Sequence, residues 1–115
     1  MNGSNPKQVI KIYNILRALG LNTSLKGSKF LNKAIQIMLA CNNDFVAIKD
    51  IYIIISKEYC HSTPNQIKNY IAYSLNNRVE EKSIKNFKNI FGFEYDKYIF
   101  TNKSFIEEVT RVIAL

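Results

Sequence analysis

An all-α domain of about six helices, with a helix-turn-helix near its centre, is predicted by three features of the sequence. Apolar residues repeat at helical spacing in six separate stretches. Short polar or glycine-containing connections separate these stretches. Hydrophobic residues make up 47% of the 115-residue chain, which is enough to bury one core. We therefore expect residues 1–115 to form a single helix-turn-helix domain, with residues 1–4 disordered.

The first two helices are predicted from their caps and apolar stripes. Asn5 suits an N-cap and is followed by Pro6 at the first helical position, and the apolar stripe of this helix stops at Gly20. Ser28 is the expected cap of the second helix. That helix is expected to end at the polar break formed by residues 41–44.

The next two helices form the helix-turn-helix. A third helix is expected from about Ala47 to Tyr59; its run of isoleucines would also suit a strand, but residues 57 and 58 continue the helical pattern. Three residues then lead to Thr63, a good N-cap, and to Pro64 at the first helical position. A supporting helix followed by a short turn and a capped helix is the order of a DNA-binding helix-turn-helix.

The C-terminal third predicts two more helices. A short amphipathic helix is closed by Gly92, and the aromatic segment from Phe93 to Phe100 could be extended. The last helix is expected to start at Thr101 or Asn102.

The helix at residues 63–77 divides into an apolar face and a polar face. Ile67, Ile71 and Leu75 have helical spacing and should pack inward. Amide side chains can bond to adenine, lysine to guanine or phosphate, and tyrosine to a thymine methyl or a phosphate. The candidate base-reading residues are Asn65, Gln66, Lys68, Asn69 and Tyr73. An ordinary solvated face is the alternative, and Gln66 also suits a capping box with Thr63.

The net charge favours a polyanionic partner. Sixteen basic residues stand against nine acidic ones, which gives +7, and a basic excess of this size attracts nucleic acid. Candidate contacts to the DNA backbone are Lys26 and Lys29 beside Gly27, where a helix N-terminus also offers N–H groups, together with Thr63 and Arg78. Ordinary solvated lysines remain the alternative reading of this charge.

Other functional classes find little support. The single histidine, His61, adjoins Cys60, but the ligands for a metal site are missing. The sequence has no paired carboxylates at catalytic spacing and no phosphate-binding glycine loop, so we expect no enzyme and no cofactor. Its apolar runs are far short of the ~20 residues of a membrane span. We expect a cytoplasmic protein with reduced thiols and no small-molecule substrate.

Four stretches, in order and at nearly the same spacing, resemble the DNA-binding effector domain of the stage-zero sporulation response regulator family, the master sporulation regulators of endospore-forming Firmicutes. The resemblance runs from about Ile12 to Val112. It rests on these segments: Leu19 to Gly27 with Phe30, Leu31, Ala34 and Ile35; Ile51, Tyr52, Ile55, Ser56 and Lys57; Ser62 to Pro64 with Ile67, Ile71 and Leu75; and Ile90 to Phe93 with Thr101, Asn102, Phe105 and Ile106.

The resemblance implies an all-α, winged-helix-like effector domain that binds duplex DNA, often as a head-to-tail pair on tandem sites, with no enzyme activity. The chain departs from the family on the reading helix. Where the family has Ser, Arg, Glu, Arg, Arg and His, this sequence has Asn65, Gln66, Lys68, Asn69, Ala72 and Tyr73. We expect a standalone domain without a receiver domain, so the phosphorylation control used by that family is not carried over to this chain.

Two functions follow as hypotheses. The first is a sequence-specific DNA-binding transcription regulator that places the helix at residues 63–77 in the major groove and reads sites richer in A·T. The second is a protein interaction module that kept the fold, lost DNA reading and pairs with a full-length relative. Phe105, Ile106 and Val109 on the last helix are candidate contacts for that partner, although packing into the core is the alternative role.

Overall fold

Six α-helices make up the computed structural model, which describes residues 5–41 and 46–115. Residues 1–4, which are expected to be disordered, lie outside these ranges. So does most of the polar break predicted at residues 41–44. The helices are α1 (Pro6–Ala18), α2 (Lys26–Ala40), α3 (Ile48–Glu58), α4 (Pro64–Asn76), α5 (Glu80–Phe91) and α6 (Asn102–Ala114), with a short 3₁₀ helix at Lys97–Ile99. The described residues contain no strand, so the all-α prediction is confirmed. The term "winged-helix-like" therefore describes the helices only, because no described residue forms the strands of a wing.

Most helix ends follow the predicted chemistry. The Asn5 side chain accepts from the amides of Lys7 and Gln8, and Thr63 caps α4. Gly92 closes α5 with a φ of 88°, and Thr101 is the N-cap residue of α6. The segment from 93 to 100, which could have been extended, instead contains the 3₁₀ turn.

The start of α2 is a correction. The helix begins at Lys26 with Leu25 as its N-cap residue, two residues before the predicted cap Ser28. Ser28 is buried inside the first turn, where its hydroxyl donates to the Asn22 carbonyl at 2.7 Å. Because Leu25 has no side-chain acceptor, this N-terminus carries none of the usual sequence signals.

The core is organised around α2, which packs against α1, α3, α4 and α6. Ile67 and Ile71 from α4 are fully buried in it, as predicted. Phe105, Ile106 and Val109 are also fully buried, so their packing role is confirmed and they are not exposed for a partner. Among the described helices, none is long and apolar enough to cross a membrane.

A close crossing of α2 and α4 holds α4 against the core. Gly27 lies directly on the backbone of α4, and a Cβ atom at this position would collide with the Tyr70 carbonyl and the Ser74 hydroxyl. Only glycine permits this approach without displacing a helix. The N-terminus of α2 is therefore held against one flank of α4.

Candidate nucleic-acid interface

The outward face of α4 is polar, exposed and free of acidic residues. Ile67, Ile71, Ser74 and Leu75 form its buried side. At 100° per residue, Asn65, Asn69 and Tyr73 lie opposite that side, and all three are exposed. Gln66 and Tyr70 lie on the flank towards α2, whereas Lys68 and Ala72 lie on the flank towards α3 and α6. The predicted base-reading residues therefore occupy a central strip and both flanks.

Gln66 is engaged in the cap of its own helix. Its Oε1 accepts from the Thr63 amide at 2.9 Å, and the Gln66 amide donates to Thr63 Oγ1 at 3.1 Å. These two bonds form a complete capping box, which satisfies two backbone donors at the start of the helix. Of the two roles left open for Gln66, the structure thus shows capping, and its side-chain oxygen is occupied.

A groove lies between α2 and α4 and is called the α2–α4 groove below. It has a volume of about 490 Å³ and a mainly apolar lining. Lys26 stands at its edge with Nζ 5.2 Å from the centroid of the Tyr70 ring, within the range of a cation–π contact. Its lining consists of Leu25, Lys26, Gly27, Gln66, Asn69, Tyr70 and Tyr73.

Lys29 faces a second cavity, beside the turn of the helix-turn-helix. This cavity of about 500 Å³ is also lined by Lys26, Tyr59, His61 and Ser62. Glu58 is the acidic residue at its rim, and it pairs with Lys33 at 3.0 Å. Both candidate backbone lysines are exposed and lie on the same side of α4.

The opposite flank of α4 borders a third cavity, called the α4–α6 groove below. It has a volume of about 460 Å³ and is lined by Ile48, Lys49, Tyr52, Lys68, Ala72, Asn102 and Lys103. Asn102 holds it together: its Nδ2 donates to the Tyr52 hydroxyl at 2.9 Å and to the Lys68 carbonyl at 3.0 Å. Burial raises the pKa of Tyr52, and the Asn102 hydrogen bond opposes that rise.

Comparison with known proteins identifies the scaffold. The family described as "Sporulation initiation factor Spo0A C terminal" matches residues 12–113 of the chain. The chain belongs to this family. It is a family of DNA-binding transcription factor domains and not one of enzymes, and its members bind double-stranded DNA. No curated protein and no solved structure matches the chain.

In this Spo0A C-terminal domain, Arg78 is bound within the fold, contrary to its expected role at the DNA backbone. The guanidinium donates to the Ser83 hydroxyl at 2.9 Å, the Leu75 carbonyl at 3.0 Å and the Tyr95 hydroxyl at 3.0 Å. It also lies 3.7 Å from the centroid of the Phe100 ring, and its side chain is only 11% exposed. These contacts leave little of the group for a phosphate.

Sequence reasoning missed several residues at this interface. Tyr70 lines the α2–α4 groove, and its position four residues after Gln66 could have placed it on that flank. Lys49 and Lys103 line the α4–α6 groove, but they lie far from α4 in sequence, and only the packing of three helices brings them to it. Among the described residues, no group of three or more metal-binding side chains occurs.

Proposed function

We propose that this domain is a sequence-specific double-stranded DNA-binding transcription regulator that inserts the helix at residues 63–77 into the major groove. The observation that carries the proposal is the exposed amide face of α4, which has no acidic residue and has a groove on each flank with at least one lysine in its lining. Phosphate contacts position a protein on DNA, whereas contacts to base edges supply specificity. The two kinds of side chain stand side by side on this surface.

Base reading is assigned to the central strip of α4. Asn65 and Asn69 have exposed amides that make no hydrogen bond with another described residue, so they are available to ligand atoms. An amide side chain can donate to N7 and accept from the N6 amino group of adenine at the same time. Tyr73 is 57% exposed and can contact a thymine methyl. This chemistry supports a site that is richer in A·T than one read by arginines.

Backbone binding is assigned to the N-terminus of α2 and the start of α4. No side chain caps α2, and the Lys26 amide donates to no described residue, so this N–H group can bind an anion next to the Lys26 and Lys29 side chains. Thr63 Oγ1 accepts from the Gln66 amide, but its own proton can still be donated to a phosphate. Gln66 stabilises this end of α4 through the capping box.

Selection of bound fragments from random DNA duplexes tests the proposal. We expect enrichment of a defined site with A·T pairs at the positions that face Asn69. Asn69→Ala should cost about 1–3 kcal/mol at one base position, whereas Lys26→Ala should weaken binding to all sequences alike. Binding without preference over random DNA at ~150 mM salt would refute the proposal.

Two exposed residues on α5 provide matched controls, because α5 packs against α1 and α6 and away from the reading face. Asn89→Ala removes an exposed amide, and Lys85→Ala removes an exposed positive charge. Both variants should retain the affinity and the base preference of the wild type. A loss equal to that of Asn69→Ala or Lys26→Ala would show that the effect is not specific to the proposed interface.

Pairing of two domains on tandem sites stays a prediction, and the stoichiometry of the complex on the selected duplex measures it. The interaction-module hypothesis lacks its candidate surface, because the three residues assigned to it are buried. A DNA partner also agrees with the cytoplasmic location expected from the sequence.

A further inference from the structure

Three lysines from three different helices meet in the α4–α6 groove. Lys49 comes from the first turn of α3, Lys68 from α4 and Lys103 from the first turn of α6. All three are exposed, none pairs with a described carboxylate, and no described acidic residue lines the groove. Three exposed positive charges beside one groove attract an anion.

The position of the groove relative to α4 indicates which anion it would take. A helix in the major groove has one phosphate backbone on each side, because that groove is about 12 Å wide and admits a single helix. Lys26 and Lys29 lie on the flank of α4 towards α2, and the three lysines of the α4–α6 groove lie on the other flank. The two lysine groups therefore stand where the two backbones of a duplex would run.

We propose that the α4–α6 groove binds the phosphates of the second DNA strand, across the major groove from the strand held by Lys26 and Lys29. The inference rests on the proposed function and adds Lys49 and Lys103 to the interface. It also changes the role of Lys68 from a base reader to a phosphate contact, because its side chain lies on the flank of the helix and not on the central strip.

Asn102 is a positioning residue for this site. Its amide bridges the Tyr52 hydroxyl of α3 and the Lys68 carbonyl of α4, so the three helices keep a fixed relative position at the groove. Lys103 follows it directly in the first turn of α6. The scaffold thus fixes the backbones that carry the lysines, so that binding has to order only their side chains.

The test compares Lys49→Ala/Lys103→Ala with the charge-matched control Lys11→Ala/Lys85→Ala, whose exposed lysines lie on α1 and α5. Affinity is measured on the selected duplex and on random duplex over a range of salt concentrations. Each lost phosphate contact reduces the log–log salt slope by about 0.9, so the groove variant should lose about 10- to 30-fold in affinity at ~150 mM salt on both duplexes. Thermal unfolding should be unchanged in both variants.

Ethylation interference then assigns the strand. The groove variant should lose the interference signals of one strand, and Lys26→Ala/Lys29→Ala should lose those of the other strand. Lys68→Ala should weaken both duplexes equally. A groove variant that matches the control in affinity and slope, or a Lys68→Ala effect confined to the selected duplex, would overturn the inference.

The same measurements separate this inference from the proposed function. A wild-type protein that prefers no sequence but has a salt slope reduced by the groove substitutions would refute base reading and keep the phosphate site. If the wild-type protein prefers its selected site and the groove variant binds equally well, the phosphate site is refuted and base reading is kept. A wild-type protein that binds no duplex would refute both.

Discussion

Arg78 stabilises the junction between α4, α5 and the segment before α6. Its guanidinium spans the C-terminus of α4, Ser83 of α5 and Tyr95, and Ser83 in turn donates to the Leu19 carbonyl at 2.5 Å. Gly20 adds to this junction, since its carbonyl accepts from the Val79 amide at 2.8 Å and its φ of 91° suits glycine. The C-terminal end of α4 is therefore anchored by residues that do not touch its outward face.

Substitution of Arg78 should consequently affect stability more than DNA contact. Arg78→Ala leaves several partly buried acceptors without a donor and should lower the free energy of unfolding by about 2–4 kcal/mol. Arg17→Ala removes an exposed arginine with two side-chain hydrogen bonds and should cost less than about 1 kcal/mol. Urea unfolding measures both values. A near-wild-type stability for Arg78→Ala, combined with a smaller salt slope for DNA, would instead support its role as a phosphate contact.

At the scale of elements, the helices could be predicted where local chemistry determines them. Asn5 and Thr63 provide side-chain caps, and Gly92 provides a left-handed stop, so these ends were found from sequence. The start of α2 was misplaced because Leu25 provides no cap and Ser28 resembles one. Of the lysines that line the grooves beside α4, Lys49 and Lys103 could not be singled out from sequence, since they reach α4 through tertiary packing, which no local pattern encodes.

The capping box makes a prediction about α4 as an element. Gln66→Ala removes the acceptor of the Thr63 amide and should cost about 0.5–1.5 kcal/mol of stability without changing base preference. Gln66→Glu keeps an acceptor and adds a favourable charge in the first turn, so stability should equal or exceed that of the wild type. The same charge should weaken binding to every duplex.

Thermal unfolding and competition binding on single-base variants of the selected site measure these effects. Asn65→Ala is the control for stability alone, because Asn65 is exposed in the same turn and lies outside the capping box. As a proposed base reader it should keep its stability and relax selection at one base pair, which is the opposite of the pattern expected for Gln66→Ala. A Gln66→Ala variant that keeps its stability and relaxes selection at one base pair would show that Gln66 reads DNA.

At the scale of the whole molecule, α6 packs one face into the core and lines the α4–α6 groove with its N-terminus. Phe105, Ile106 and Val109 are fully buried, while Asn102 and Lys103 line the α4–α6 groove. The apolar stripe of α6 is predicted from sequence. Its role is left open between packing into the core and binding a partner, because periodicity identifies an apolar face without identifying what covers it. The packing against α2, α4 and α5 resolves this ambiguity.

A matched pair of isoleucines tests that assignment. Ile106 is fully buried and Ile84 on α5 is 53% exposed, so the same substitution probes a core site and a surface site. Ile106→Ala should lower the free energy of unfolding by about 2–5 kcal/mol, a large part of the 5–15 kcal/mol typical of a domain. Ile84→Ala should change it by less than about 0.5 kcal/mol. If α6 were instead a partner-binding surface, Ile106→Ala would unfold at the wild-type denaturant concentration and lose binding to a full-length relative while keeping DNA binding. Unfolding by urea, together with binding to DNA and to the relative measured below the transition, distinguishes the two outcomes.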